Sequence, residues 1–155
     1  MSTTSRSRTI AADPQEVWAV VADPHHLARW WPRVKRVEGV DGTAFTEVLT
    51  SNRGRQVRAD FHVLISQRPT RQRWAQDVEG TPFARVLRSA ETEVRLEAAD
   101  AGAGTQVTLE LSQLTNGFLA RLGTFFIRRA ARDTLDQALD GLSHIMGGAE
   151  AADRA

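Results

Sequence analysis

The stretch Ile10-Ala11-Ala12-Asp13-Pro14-Gln15-Glu16-Val17-Trp18 decides how this chain is built. Ser7 to Ala12 reads as a strand anchored by Ile10. Asp13 then stands at a helix N-cap, Pro14 at the first helical position and Glu16 three residues after the cap, so strand gives way to helix with no linker. Val17, Val20 and Val21 follow at helical spacing, with Trp18 beside them. Asp23-Pro24 repeats the device and opens a second short helix through Leu27 to about Trp31, which Pro32 stops. Two short helices meeting at a bend form a V that another element must fill.

Beyond that V the apolar period changes to two. Val34 to Val40 ends at the hairpin signal Asp41-Gly42, and Thr43 to Thr50 follows with Phe45, Glu47 and Leu49 alternating against Ala44, Thr46 and Val48. After the Asn52-Arg53-Gly54 turn, Arg55 to Gln67 places Val57, Ala59, Phe61, Val63 and Ile65 on one face and Arg58, Asp60, His62 and Ser66 on the other. Arg71 to Glu79, Ala84 to Ala98 and Gln106 to Leu114 complete seven expected strands. A helical pattern then runs from Phe118 to Met146, with Gly147-Gly148 as its expected C-cap. The expected architecture is α+β, β-α-α-β(6)-α: a curved antiparallel sheet of seven strands wrapped around one long C-terminal helix, with a cavity between them.

With 155 residues the chain fits one domain, 1–155, whose ordered core is expected over about 6–147 between a flexible polar N-terminus and a flexible Ala/Glu-rich tail. The net charge of +1 supplies no global field for nucleic acid. There is no cysteine, which excludes disulfides and thiolate metal sites. Arginine supplies 19 of the 20 basic residues and tyrosine is absent, so no tyrosine takes part in any proton transfer. No run approaches the roughly 18 apolar residues that span a membrane, and nothing resembles a signal peptide. The expectation is a cytoplasmic monomer or homodimer without stable membrane insertion. His25 and His26 diverge by about 100° on a helix, His62 alternates to the wet face, and His144 lies near the helix end; neither a metal nor a cofactor is expected.

The opening motif, Trp30-Trp31-Pro32-Arg33-Val34, Gly104-Thr105-Gln106-Val107-Thr108 and the helical Leu139-Asp140-Gly141-Leu142 together resemble the START-like, Bet v 1-like (SRPBCC) superfamily, in its polyketide cyclase/dehydratase branch. The resemblance covers about Arg6 to Met146 and implies the helix-grip fold. It also implies one of two activities: carriage of a small hydrophobic ligand, lipid-like or polyketide-like, or cofactor-independent cyclisation or dehydration of a poly-β-ketone. Fold alone does not choose between them.

On a helical wheel Ile127, Ala131, Leu135, Ala138, Leu142 and Ile145 form one apolar face. Extended backwards it meets Ala120, Gly123 and Thr124, whose small size is expected to leave a hollow beneath the front of the helix. Trp31, Phe61, Trp74, Gln76, Val78, Val107 and Leu109 are the expected lining from the V and the sheet. Gln76 would point inward, and Arg88, sharing a face with Ala90, Val94 and Leu96, would offer a cation unless a bulge turns it; these two are the catalytic candidates. Phe118, Leu122, Phe125 and Phe126 fall on the far side of the helix start. They are candidates for a gate, or for a protein or membrane contact flanked by Arg121, Arg128 and Arg132.

Overall fold

The computed structural model describes residues 1–51, 53–117, 121 and 123–154, with side chains described up to 147. Seven antiparallel strands form one sheet: β1 (Ser2–Ile10), β2 (Val34–Asp41), β3 (Ala44–Thr50), β4 (Gln56–Gln67), β5 (Arg71–Gln76), β6 (Leu87–Ala99) and β7 (Gly104–Thr115). Their spatial order is β1-β7-β6-β5-β4-β3-β2. Only β1 is out of sequence: it leaves the V-shaped connection at one edge and pairs with the last strand. Helices α1 (Pro14–Val21) and α2 (Leu27–Trp30), joined through a tight turn at Pro24–His26, form the V, and α3 (Thr124–Arg154) crosses the concave face. The helix-grip architecture expected from the order of elements is present.

Each boundary has a local cause. Asp13 accepts a hydrogen bond from the Glu16 amide at 2.9 Å, and Asp23 accepts one from the His25 amide at 3.0 Å. The concave face buries Ile10, Trp74, Val94, Leu96, Val107 and Leu109 beneath Leu135, Ala138, Leu139 and Leu142 of α3. Gly141 permits the closest approach of α3 to α2: a Cβ there would lie 2.5 Å from the Trp30 carbonyl oxygen. At the sheet edge Arg6 and Arg8, two residues apart on β1, pair with Asp136 and Asp140, four apart on α3.

Five boundaries differ from expectation by three residues or more. β1 begins at Ser2 rather than Ser7, because its polar residues alternate against β7, where Ser7 bonds Thr108 at 2.8 Å. β5 ends at Gln76, short of Glu79. Pro82–Arg85 forms a tight helical turn with Pro82 at its start, so β6 begins at Leu87 rather than Ala84. The regular helix begins at Thr124, after Gly123 with φ at 86°. At its other end α3 runs through Gly147 and Gly148 to Arg154 instead of stopping at the glycine pair; the following Ala and Glu residues favour helix enough to carry it on.

Candidate functional site

The floor of the site follows from strand register. Directly opposed residues in an antiparallel sheet share a face, so the concave side carries successive rows: Leu49 with Val57, Glu47 with Ala59, and Phe45 with Phe61 and Gln76. Phe45 and Phe61 stack with centroids 5.4 Å apart. One row further, Val63 opposes Trp74, whose indole meets Trp31 edge-on at 6.2 Å, and Trp31 in turn meets Trp30 at 5.4 Å. Past Trp74 the space under the V is filled: a void of only about 10 Å³ remains among Val21, Leu27, Phe45 and Trp74. Gln72 closes this end, donating to the Ala22 carbonyl at 2.8 Å and accepting from the Ser66 hydroxyl at 2.8 Å.

The opposite end is open. A cavity of about 630 Å³ lies between α3 and the β3–β4 side of the sheet, within the usual size range of small-molecule sites. Leu49 and Val57 form its floor, Ala130, Asp133, Thr134 and Gln137 of α3 one wall, and Phe83 another. Trp31, Pro32 and Arg33 form the edge nearest the V. Arg33 holds a left-handed φ of 67°, and its carbonyl accepts from the Thr50 amide at 3.0 Å, which ties this edge to the end of β3.

On the β3–β5 part of the concave floor, Glu47 and Gln76 carry polar groups without partners among the described residues. Glu47 is 4% exposed. Among the described residues no hydrogen bond or cation reaches its carboxyl, and burial alone pushes its pKa up from 4.5 to about 8. Its neighbours across the strands are Val37 on β2 and Ala59 on β4. Gln76 buries its side-chain Nε2 with no acceptor, in contrast to Gln72 four residues earlier on the same face. Glu47 was not singled out from the sequence. The available signal was its place between Phe45 and Leu49, two residues to either side on an apolar face.

Of the expected lining residues, Trp31 borders the cavity, while Trp74 belongs to the filled end. Val107 and Leu109 are fully buried beneath α3, Val78 is buried beyond the end of β5, and Phe61 packs against the core. Ile127 is half-buried. Arg88 is exposed at a register shift between Leu87 and Ser89, so the inward cation expected there is absent; the extra residue turns it out of the sheet. A second bulge between Val63 and Ile65 leaves Leu64 45% exposed and sets Ile65 opposite Arg73, off the face it was expected to share with Val63. Phe118, Leu119, Ala120 and Leu122 lie outside the described residues. Thr124 and Phe125 border a surface groove with Arg128 and Arg132 beside Thr3–Ser5, so the hollow expected under Gly123 and Thr124 opens instead further along α3, at Ala130–Gln137. Phe125 and Phe126, 64% and 62% exposed, meet edge-on at 5.6 Å and do not border the main cavity. Phe83 was missed because it falls between the strands expected over Arg71–Glu79 and Ala84–Ala98, in neither element.

Among the described residues no helix is long and apolar enough to cross a membrane. Several solved structures share this architecture. A START superfamily protein from Mycobacterium smegmatis superposes with a TM-score of 0.77 at 11% identity, covering 96% of this chain and 99% of its own. A conserved protein from Geobacillus kaustophilus gives 0.78 at 18% identity, with 96% of each chain covered. The di-domain ARO/CYC BexL from the BE-7585A biosynthetic pathway gives 0.73 at 20% identity, over 93% of this chain and 46% of that one. At such identities the likeness carries the fold. No curated protein matches the chain. The family described as polyketide cyclase / dehydrase and lipid transport matches residues 1–146, and the chain belongs to that family.

Proposed function

We propose that this protein binds a small hydrophobic molecule in the cavity between α3 and the β3–β4 side of the sheet. The observation that carries this reading is the contrast between the two ends of the concave chamber. The end beneath the V is filled to about 10 Å³, whereas the other keeps about 630 Å³ open against Trp31, Leu49, Val57 and Phe83. Burial of a ligand's apolar surface there contributes about 25 cal/mol per Å² before the entropic cost of association. Arg33 at the edge and Asp133, Thr134 and Gln137 on the α3 wall orient a polar end.

The test is titration with 1-aminoanthracene, an uncharged aromatic that brightens on leaving water. Thr134→Trp projects an indole from α3 into the space and is expected to weaken binding at least tenfold, with the unfolding temperature little changed. Equal affinity in the parent and Thr134→Trp overturns the reading.

A second reading is a polyketide aromatase/cyclase or dehydratase acting on a poly-β-ketone in the same cavity. The family description names it beside lipid transport, and the carboxyl on the concave floor whose pKa burial raises to about 8 favours it. In that case Glu47 supplies acid–base help to enolisation. Turnover of a short β-polyketone thioester would fall by two orders of magnitude or more in Glu47→Gln, and an unchanged rate removes the role.

A further inference from the structure

From the concave-face geometry we propose that Glu47 and Gln76 form a polar subsite at the inner end of the cavity that donates hydrogen bonds to an uncharged acceptor oxygen of the ligand: a ketone, quinone or ester carbonyl. This deepens the cavity reading and rests on it.

Glu47 and the cavity-lining Leu49 are alternate residues of β3, so their side chains share a face and stand about 7 Å apart along the strand. Glu47 therefore lies one step further in than the floor of the open cavity. Gln76 is two strands away, about 10 Å across the sheet, in the next row, where it opposes Phe61. Between them Ala59 contributes only a methyl group, so nothing bulky on β4 separates the two polar ends. Glu47 is withdrawn from solvent and so is the Nε2 of the half-buried Gln76, and neither group has a protein partner among the described residues.

Unpartnered buried polar groups cost stability. A chain that keeps such groups on one face, set one step in from the residues that line the open cavity, has donors waiting for an acceptor. The donors also select the ligand's chemistry. No titratable group shares the concave face with Glu47 on the flanking strands, where Val34 and Val37 lie on β2 and Val57, Ala59 and Phe61 on β4. Arg33 and Asp133 line the open cavity, of which Glu47 is not a lining residue. In those surroundings Glu47 stays protonated at neutral pH and acts as an O–H donor, as the amide of Gln76 acts as an N–H donor. An anionic head group meets no compensating cation there, so a carboxylate is rejected and a carbonyl accepted.

The experiment compares three naphthalenes of similar shape at pH 6.5: 2-acetylnaphthalene, 2-isopropylnaphthalene and 2-naphthoate. The ketone is expected to bind about tenfold more tightly than the hydrocarbon, and the carboxylate more weakly than either. Glu47→Leu should bring the ketone-to-hydrocarbon ratio close to one while the hydrocarbon still binds; Glu47→Gln, still a donor, should keep the preference. Gln76→Leu provides an independent variant and should reduce the ratio in part. If the hydrocarbon binds the parent but the ketone preference is absent, or survives Glu47→Leu and Gln76→Leu unchanged, the subsite is overturned and the cavity reading stands. If neither naphthalene nor 1-aminoanthracene binds the parent, both fall together.

Discussion

Glu47 and Glu93 are the same residue on the same sheet, and both are almost fully withdrawn from water, at 4% and 3% exposure. They lie on opposite faces and in opposite states. On the concave side Glu47 has Val37 and Ala59 across its strands and no cation, and burial lifts its pKa to about 8. On the convex side Glu93 is enclosed by arginine side chains: Arg71 bonds it at 2.6 Å, Arg95 also bonds it, and Arg73 approaches at 3.6 Å. Burial pushes Glu93 upward too, but the hydrogen bonds and charges of Arg71 and Arg95 outweigh it and hold the carboxyl below its usual value. Glu91 and Glu110 complete the network through Arg73 and Arg95. Burial therefore does not decide whether a carboxyl is charged; the company it keeps does.

The largest expected effect is the response of stability to pH. A carboxyl whose pKa is raised on folding binds protons more readily in the folded state, so its contribution is intact below the unfolded value of 4.5 and is lost as pH rises through about 8. Integrated over that span the loss amounts to about 4 kcal/mol. Glu93, with its pKa lowered, acts in the reverse sense: its contribution is present above 4.5 and drains away as the medium is acidified below that point. Urea unfolding from pH 3 to 9 should therefore give a maximum near pH 5 and a decline toward pH 9. In Glu47→Gln the decline should flatten, leaving the variant the more stable protein at pH 9. A parent curve that rises between pH 5 and 8 would show that Glu47 ionises freely and would dissolve the contrast.

The two glutamates also mark what the amino-acid order discloses and what it conceals. Caps such as Asp13-Pro14 and Asp23-Pro24 are local chemistry, and they appear where the residues place them. The buried face of α3, with Ala131, Leu135, Ala138 and Leu142, follows from helical spacing alone. Bulges are different, because they are set by the partner strand. The shifts at Leu64 and Arg88 each move one residue out of phase, turning Ile65 from its expected face and placing Arg88 in solvent. Phe83 reaches the cavity because Pro82 starts a helical turn in what reads only as the gap between two strands. Glu47 was hidden for another reason. A lone acid between apolar neighbours two residues away reads as a surface residue until the register of β2 and β4 shows that its side of the strand is the inner one.

A smaller effect is expected from neutralising the paired glutamate. Glu93→Gln leaves Arg71, Arg73 and Arg95 with Glu91 and Glu110 only. The arginine side chains retain 37%, 17% and 40% exposure, so water relieves part of the imbalance. The loss should be about 2 kcal/mol, between the values for exposed and fully buried pairs. A double-mutant cycle with Arg71→Gln should return a coupling of about 1 kcal/mol. Zero coupling would mean that Glu93 is held by its surroundings and not by its arginines.

The exposed pairs that fasten α3 to β1 should matter least. Arg6 meets Asp136 at 2.8 Å and Arg8 meets Asp140 at 2.6 Å, but the Asp140 side chain is 70% exposed and that of Arg6 46%. Water already solvates these charges, so removing a partner exposes little that was hidden. Arg6→Gln should cost about 0.5 kcal/mol, and part of that comes from Asp136 and Asp140, like charges four residues apart whose repulsion the arginines offset. Because such pairs are screened, 0.5 M sodium chloride should erase most of the Arg6→Gln effect while leaving that of Glu93→Gln largely in place. If Arg6→Gln instead cost as much as Glu93→Gln, and salt did not reduce it, the edge clasp would be a desolvated contact. The gradation from unpartnered to buried-paired to exposed-paired charge would then lose its lowest step.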